Sequence, residues 1–375
     1  MKREQLSDEI FELLPNSELK AMALWEDNYE TLKSLENMPI LDVLTCVYNA
    51  ESYIENAIKT IVLQSYSNIH LVIVTDPCTD RTIEIIKQMM ERFPNITLIE
   101  NEHHAGSIAC FNIGLEYCKS DFIARMDLDD LIHPMRFEKQ MNYLLKHSEI
   151  AAISSFMRIF NENGPTKDVS YREDFDIQKI TLLFFSPLSH AATIFRGEVL
   201  RKFEYDVKMK YAEDYDLWLK VMSEYKTAVL PEYLYLYRTH INQSTNEKNK
   251  LIAIETWKVI MQRLFTKLRL VPTEDQTDLH VNYNLLRTPI PNKTTFLNWL
   301  KWMNTVYKFN SDTRFFEPSK LKEFVFIYTF VDAFDQFKNE LTSTELNTVL
   351  GSPYCNFSRK KTLYYKIKKT LGLNI

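Results

Sequence analysis

ILDVLTCVYNAESYIENAIKTIVLQSYSNIHLVIVTD, at positions 40–76, decides the predicted fold. It opens with one apolar run, passes through a segment whose apolar residues recur one helical turn apart, and closes with a second apolar run, HLVIVT. Strand, helix and strand at this spacing predict a βαβ unit whose two strands lie parallel in one sheet. Because both runs are continuously apolar, we expect these strands to be buried on both faces.

The same pattern continues beyond position 76. RTIEIIKQMMERF predicts a helix, and NITLIE, SIACFNIGLEYC and DFIARMD predict a strand, a helix and a strand. SHAATIFR and YLYLYR predict further strands, EDYDLWLKVMSEY predicts a helix, and the sequence after 246 is nearly all helical in pattern. The predicted fold class is therefore α/β, with a mainly parallel central sheet flanked by helices and a helical C-terminal region.

Three regions are expected along the chain. Residues 1–38 read as a helical N-terminal arm, 39–248 as the catalytic domain and 249–375 as the helical C-terminal region, with the boundary at the polar stretch NQSTNEKNK. No run of about 18 apolar residues is present, so the sequence predicts no membrane-spanning helix. Five cysteines without zinc spacing, and a start that does not resemble a secretory leader, predict reduced thiols in the cytoplasm.

Composition excludes several function classes. A net charge of −5 argues against a nucleic-acid partner held by overall charge. The six glycines form neither GxGxxG nor GxxxxGK[ST], which excludes the dinucleotide fingerprint and the P-loop.

Polar clusters follow three of the predicted strands. Tyr48–Glu51 come after the first strand, Asp76 after the second and Asp127–Asp130 after the fourth. Ligands of such sheets bind beyond the carboxyl ends of the strands. We therefore expect these separate loops to meet at one edge of the sheet and to form a site there.

The strongest motif is RMDLDD at 125–130. Two aspartates separated by one residue suit a hard divalent cation, and three carboxylates in four residues repel one another unless a cation lies among them. A polar loop or a helix N-cap is the alternative.

Two further motifs carry candidate groups. In AEDYDLW at 212–218, Glu213 and Asp214 begin a predicted helix, where a carboxylate can be held as a general base or can serve as ordinary acidic capping. His240 follows the strand YLYLYR and suits either a metal or phosphate ligand or a surface polar group.

Taken in order, VYNAE, TD, RMDLDD, SHAATIFR, AEDYDLW and YRTHINQS resemble the motifs of the family 2 glycosyltransferases, which have the GT-A nucleotide-sugar fold. The resemblance covers about two-thirds of the chain, residues 40–245, and bacterial lipooligosaccharide or capsule hexosaminyl- and galactosyltransferases look nearest. It implies an inverting, metal-dependent enzyme that moves a hexose or N-acetylhexosamine from a UDP-sugar to a hydroxyl of a glycan or lipid-linked acceptor in bacterial surface polysaccharide synthesis.

The resemblance also implies roles for single residues. It makes Asp214 the catalytic base, with Glu213 beside it. It assigns Mn²⁺ or Mg²⁺ to the DxD element and a histidine, namely Asp127, Asp129 and His240. It assigns the nucleotide-sugar to Cys46, Val47, Tyr48, Glu51, Asp76, Arg125 and Asp127, with Asp76 on uracil. It places three residues on the acceptor or diphosphate side, namely His190, Arg196 and Arg238.

The sequence departs from the family pattern at two loops. The family's DDGSTD reads TDPCTD at 75–80, and its N-x-G reads His104–Ala105–Gly106. These changes concern contacts to the nucleotide base. They leave the implied metal ligands and the implied catalytic base in place. Two alternatives stay open: a degenerate transferase that acts as a binding or scaffold subunit, and a sugar nucleotidyltransferase. The second usually needs a glycine-rich basic loop after the first strand, where this chain has CVYNAESY.

The end of the chain is basic and amphipathic. Residues 354–375 carry Arg359 and five lysines without an acid, and Leu363, Ile367 and Leu371 recur every four residues. This pattern predicts docking to an anionic membrane surface, so that a cytoplasmic protein lies on the inner face of the membrane. Packing of the helix on its own domain is the alternative.

Overall fold

The computed structural model of the protein describes residues 38–240 and 249–355. Within these ranges the chain forms two compact units. The first comprises 38–175 and 187–240 with Asn249, and the second comprises 176–186 and 250–355. The predicted N-terminal arm and the basic amphipathic segment lie outside the described residues, except for Met38, Tyr354 and Cys355.

The first unit is built on a mixed sheet of nine strands among the described residues, in the order β3-β2-β1-β4-β8-β6-β9-β5, with β7 paired to β6. The strands are β1 Leu41–Val47, β2 Ile69–Thr75, β3 Ile96–Glu100, β4 Phe122–Arg125, β5 Leu131–Ile132, β6 Ile150–Asn161, β7 Gly164–Val169, β8 Ile194–Arg196 and β9 Lys226–Arg238. The predicted α/β class is confirmed. Strands β1 to β4 are parallel, as predicted, whereas β8 runs antiparallel to both β4 and β6 and makes the rest of the sheet mixed.

Helices cover the sheet of the first unit. They are α1 Ile54–Val62, α2 Thr82–Arg92, α3 Ser107–Tyr117, α4 Arg136–Lys146, α6 Gly197–Phe203 and α7 Glu213–Glu224. Val72, Ile73 and Val74 are consecutive in β2 and all fully buried, which explains why the run is continuously apolar. Helix α3 packs so closely on β1 that a Cβ at Gly114 would overlap the side chain of Leu44. The parallel strands are therefore fixed from both faces.

Strand β9 contains an irregularity that matters for the site. Its first part pairs in parallel with β6 up to Leu230, which faces Ser155, but the next residue of β6, Phe156, faces Tyr233. Pro231 and Glu232 are thus extra residues in β9, and Leu234 is a third, because Met157 faces Tyr235. Proline cannot donate a ladder hydrogen bond, so a bulge is where a strand accommodates it.

The second unit is helical, as predicted for the C-terminal region. Its elements are α5 Phe175–Thr181, α8 Lys250–Lys267, α9 Glu274–His280 with a π-turn Val281–Leu285, α10 Lys293–Thr313, α11 Pro318–Val325 with a π-turn Phe326–Phe330, α12 Val331–Phe337, α13 Ser343–Leu350 and a 3₁₀ turn Pro353–Cys355. In the part of the chain that the structure describes, no helix has the length and apolar character needed to cross a membrane.

A buried histidine joins residues 176–186 to this unit. Nε2 of His280 lies 2.8 Å from the carbonyl oxygen of Leu183, and Nδ1 accepts from Trp302 Nε1 at 3.1 Å and Asn284 Nδ2 at 3.0 Å. Burial lowers the pKa of His280 to about 3, so the ring is neutral and Nε2–H is the donor to Leu183. Residues 176–186 lie within the predicted range 39–248 because no local sequence pattern indicates this long-range contact.

Candidate active site

The loops after β1 and β2 are bound to each other at the carboxyl edge of the parallel strands. Asn49 Nδ2 donates to Thr79 Oγ1 at 3.0 Å, and Thr79 N donates back to Asn49 Oδ1 at 2.9 Å. Asn49 has a φ of +50°, a conformation that asparagine tolerates better than most residues. Glu51 Oε2 accepts from Arg81 N at 2.9 Å. One carboxylate oxygen of Glu51 therefore already holds the neighbouring loop.

Among the residues predicted to contact the base in the first loop, Tyr48 offers an exposed aromatic ring. Its side chain is 49% exposed and meets the ring of His104 edge to face, with the centroids 5.3 Å apart. Val47 is buried. Cys46 Sγ lies 3.5 Å from Ser107 O, and burial raises the pKa of this thiol well above its ordinary value. Cys46 is therefore a neutral thiol that joins β1 to α3.

Asp76 is buried and surrounded by protein donors. It accepts from Asn101 Nδ2 at 3.0 Å, Ala105 N at 2.9 Å and Gly106 N at 2.8 Å. Burial alone would raise the pKa of Asp76, but these hydrogen bonds outweigh it and lower the pKa. Nδ1 of His104 lies 3.0 Å from Oδ2, and the His104 side chain is 66% exposed.

The predicted metal-binding residues come together in the loop after β4. Asp127, Asp129 and Asp130 each offer a carboxylate oxygen, and these oxygens lie within 4.8 Å of one another. Asp129 Oδ2 lies 3.0 Å from Nε2 of His240, which follows the end of β9. Asp127 pairs with Arg125, a buried residue whose guanidinium stacks 4.8 Å above the ring of Phe111.

Asp130 differs from the other two aspartates. Its side chain is fully buried, Oδ2 accepts from Tyr235 Oη at 2.6 Å, and Oδ1 accepts from Arg238 N at 2.7 Å. Burial and the charges of Asp129 and Asp127 raise the pKa of Asp130 well above its ordinary value. Both of its oxygens are thus engaged inside the protein, whereas Asp127 and Asp129 are partly exposed.

The donor set fits a divalent cation. Carboxylate oxygens are hard ligands, and imidazole adds a borderline nitrogen ligand that Mn²⁺ accepts. Burial and the neighbouring charge of Asp129 raise the pKa of Asp127, despite the opposing effect of Arg125. Nδ1 of His240 is buried and has no hydrogen-bond partner among residues 38–240 and 249–355. Crowded negative charge and an unsatisfied ring nitrogen are both features that a bound cation would relieve.

The predicted catalytic pair begins α7. Glu213 and Asp214 are its first two residues, where the helix dipole stabilises negative charge. Burial and the charge of Asp214 raise the pKa of Glu213 to about 7. The positive charge of Arg125 lowers this pKa, and the charge of Asp127 raises it. Asp214 likewise acts on the pKa of Asp127. These mutual effects place the pair near the Asp127–Asp130 loop.

The three residues predicted on the acceptor or diphosphate side have other surroundings. His190 is buried with Nε2 2.8 Å from Tyr205 Oη, and burial lowers its pKa well below the ordinary value. Arg238 is buried, and its Nε donates to Asp129 O at 2.7 Å. Both therefore lie close to the site as packed residues with little surface for a ligand.

The structure places Arg196, the third of these residues, away from the other predicted site residues. Strand β8 runs antiparallel to β4 and sets Arg196 opposite Phe122, at the amino end of β4, away from the loop that follows Arg125. Its guanidinium donates to the carbonyl oxygens of Ile150, Leu144 and His147 at 2.9, 2.9 and 3.1 Å. Arg196 is a structural residue that joins β8 to the connection between α4 and β6.

Tyr235 and Arg136 are not predicted from the sequence. Both are buried and contact the acidic loop, residues 125–130. Tyr235 binds Asp130, and the fully buried Arg136 donates to the carbonyl oxygen of Arg125 at 3.1 Å. The alternation in YLYLYR shows that one set of side chains shares a face, but it does not show which tyrosine lies beneath the aspartates.

Comparisons with known proteins agree with this geometry. Residues 42–203 match the family model described as glycosyl transferase family 2. An uncharacterized glycosyltransferase of Haemophilus influenzae is 34% identical over 226 residues, which are 57% of this chain and 70% of the relative. The O-antigen biosynthesis glycosyltransferase WbnJ of Escherichia coli is 31% identical over 224 residues, 57% of this chain and 85% of the relative.

A solved structure is also similar. Residues 1–349 of S. aureus TarS, crystallised with UDP-GlcNAc, superpose with a TM-score of 0.55 and 15% identity over 90% of this chain and 93% of that one. At this identity the likeness concerns the fold alone.

Proposed function

The chain belongs to glycosyltransferase family 2 and has the GT-A fold, and from this premise we propose that it moves a hexose or N-acetylhexosamine from a UDP-sugar to a hydroxyl of a glycan or lipid-linked acceptor. The reaction we propose depends on Mn²⁺ or Mg²⁺ and inverts the anomeric configuration. One observation carries the proposal: the Asp127–Asp129–His240 group and the Glu213–Asp214 pair lie at the same edge of the sheet.

Two kinds of observation support a UDP-sugar donor and a role in surface polysaccharide synthesis. The exposed ring of Tyr48 and the engaged carboxylate of Asp76 lie in the loops that follow β1 and β2, where a planar base has a surface to stack on and an acceptor for an N–H. TarS binds UDP-GlcNAc in its crystal, and WbnJ is named for O-antigen biosynthesis. These names support a UDP-sugar and a role in bacterial surface polysaccharide synthesis.

The chemistry follows from the positions of the charged groups. A divalent cation held by Asp129, Asp127 and His240 would supply the positive charge that a diphosphate leaving group needs. Asp214 accepts the proton of the acceptor hydroxyl as that oxygen attacks the anomeric carbon from the face opposite the diphosphate. A single displacement of this kind inverts the configuration.

Glu213 reduces the negative charge around the proposed catalytic base, Asp214. With a pKa of about 7 it is partly protonated at neutral pH, so it repels the Asp214 carboxylate less than an ordinary glutamate would. Arg125, paired with Asp127 and acting on Glu213, keeps these acids from accumulating uncompensated negative charge.

Replacement of the base tests the proposal directly. We expect Asp214→Asn to reduce transfer by at least about 100-fold, because general base catalysis contributes that much or more, while UDP and Mn²⁺ still bind. Release of the nucleoside diphosphate from a panel of UDP-, GDP- and dTDP-sugars with Mn²⁺ measures both turnover and donor preference. Glu224→Gln, at the far end of the same helix, is the control and should turn over normally. Normal turnover in Asp214→Asn would remove the residue from this role.

Membrane docking of the basic segment stays a prediction, and the structure sharpens its test. Tyr354 is fully buried and its hydroxyl donates to Met303 O at 2.7 Å, so a truncation at 354 would damage the second unit. The chain ending at Cys355 removes the basic residues and keeps this contact. We expect it to float less with anionic lipid vesicles than the full chain, and equal flotation of both proteins would contradict docking.

A further inference from the structure

We propose that Tyr235 and Asp130 form a buried clasp that positions the cation-binding carboxylates, with Asp130 serving as an anchor of the loop and not as a metal ligand. This inference rests on the proposed function, because it takes Asp127, Asp129 and His240 as the cation site. Tyr235 is a positioning residue in this scheme. It contacts the loop that carries the ligands and touches neither substrate nor cation.

The hydroxyl of Tyr235 joins the two ends of the acidic loop. It donates to Asp130 Oδ2 at 2.6 Å. It also accepts a hydrogen bond from the backbone N of Asp127 at 3.4 Å. The other oxygen of Asp130 accepts from Arg238 N at 2.7 Å. Each oxygen of Asp130 thus already accepts a hydrogen bond in a fully buried place, whereas Asp127 and Asp129 are partly exposed and better placed to reach a cation.

Tyr235 is itself held firmly. It is fully buried, and it pairs with Ile132 in the short antiparallel ladder between β9 and β5, directly after the loop. The guanidinium of Arg136 lies 5.2 Å from the centre of the Tyr235 ring. The same guanidinium donates to the carbonyl oxygen of Arg125, directly before the loop. Both ends of the loop are thus attached to one buried Arg–Tyr pair.

Strand β9 sets the position of the nitrogen ligand as well. Arg238 Nε donates to the backbone oxygen of Asp129 at 2.7 Å, and His240 lies two residues further along the chain, 3.0 Å from the Asp129 carboxylate. One element therefore fixes the loop from Asp127 to Asp130 and presents His240 to it. Loss of the Tyr235 hydroxyl should misplace the carboxylates while the strand pairing remains.

The test compares two tyrosines of the same strand in the full-length protein. Tyr235→Phe removes the clasp hydroxyl, and Tyr233→Phe removes a hydroxyl two residues earlier, on a ring that packs against Phe156 and Arg158 instead. Mn²⁺ alone is titrated and followed by electron paramagnetic resonance, at a temperature well below the unfolding midpoint of each protein. Groups that orient metal ligands typically contribute 10–100-fold to affinity, so we expect about a tenfold or greater rise in the Mn²⁺ dissociation constant for Tyr235→Phe and none for Tyr233→Phe.

A second pair of variants separates anchor from ligand and covers a failure of Tyr235→Phe to fold. Asp130→Asn keeps the size and one acceptor of the anchor, whereas Asp129→Asn removes a ligand charge. We expect Asp129→Asn to weaken Mn²⁺ binding considerably more than Asp130→Asn. Equal losses in these two variants, or unchanged Mn²⁺ affinity in a folded Tyr235→Phe, would overturn the clasp and leave the proposed function standing. If the unaltered protein does not bind Mn²⁺, both the clasp and the metal-dependent reaction are overturned.

Discussion

Two histidines with a buried Nδ1, one in each compact unit, have opposite surroundings. Both ring nitrogens of His280 are satisfied: Nε2 by the carbonyl of Leu183, and Nδ1 by donors from Trp302 and Asn284. His240 uses Nε2 on Asp129, but its buried Nδ1 has no partner within the described ranges 38–240 and 249–355. A closed network holds a fold together, whereas an open one beside crowded carboxylates indicates a place for a ligand.

Exchanging each histidine for glutamine gives the largest expected contrast. His240→Gln should weaken Mn²⁺ binding at least about tenfold and leave the unfolding midpoint nearly unchanged. His280→Gln should do the reverse, since breaking a buried hydrogen-bond network costs about 2–4 kcal/mol of unfolding free energy while the cation site is untouched. Calorimetric titration with Mn²⁺ and thermal unfolding of each variant measure the two effects.

The unaltered protein and Gln276→Glu, which keeps a side-chain acceptor for Thr273 N in the capping box of α9, serve as references for these measurements. Equal Mn²⁺ loss in both histidine variants would show that His280 is coupled to the cation site and would break the contrast.

Acid should weaken the closed network around His280. The pKa of His280 is lowered by burial to about 3 in the folded protein from an ordinary value of 6.5, so protonation favours the unfolded state. The stability that the neutral ring supports is complete above pH 6.5 and declines as the pH falls from 6.5 toward 3. Denaturant unfolding monitored by the fluorescence of the adjacent Trp302 should show this slope.

In the same titration, His280→Gln should have a shallower slope between pH 6.5 and 4, because the group that takes up the proton is gone. An unchanged slope would mean that other groups produce the acid sensitivity.

The smallest expected effect comes from a closed network inside the first unit. Arg196→Met removes donors to the carbonyl oxygens of Ile150, Leu144 and His147 but keeps an apolar side chain over Phe122. We expect a loss of about 1–3 kcal/mol in unfolding free energy and no change in Mn²⁺ binding or UDP release. Weaker binding of UDP or Mn²⁺ in a stable Arg196→Met protein would return Arg196 to the site.

Much of the fold could be predicted because its signals are local. Continuous apolar runs give β1 and β2 directly, and the rule that ligands bind at strand ends brings Asp127 and Asp129 to the same edge as Tyr48 and Asp76. The errors arise where the answer depends on register or on distant contacts. SHAATIFR announces a strand, but only its antiparallel pairing with β4 puts Arg196 at the wrong end for a ligand.

The remaining parts of the site depend on pairing that the sequence does not display. Two of the donors around Asp76 are the backbone N–H groups of residues 105 and 106, where the family's N-x-G motif is altered, and backbone N–H groups carry no sequence signal. Tyr235 is one of three tyrosines at alternate positions of β9, and its partner Asp130 lies 105 positions earlier in the chain. Long-range pairing alone distinguishes it from its neighbours.

The bulge in β9 gives the active site a dependence on chain length. Pro231, Glu232 and Leu234 have no counterpart in β6, and these offsets determine the side on which every later residue of β9 lies. Side chains of a strand alternate between its two sides, so deleting Pro231 would turn Tyr235 away from Asp130 and present Leu234 or Leu236 in its place. The number of residues in the bulge therefore determines which side chains of β9 face the active site, and deletion of Pro231 should abolish activity without removing any acidic group.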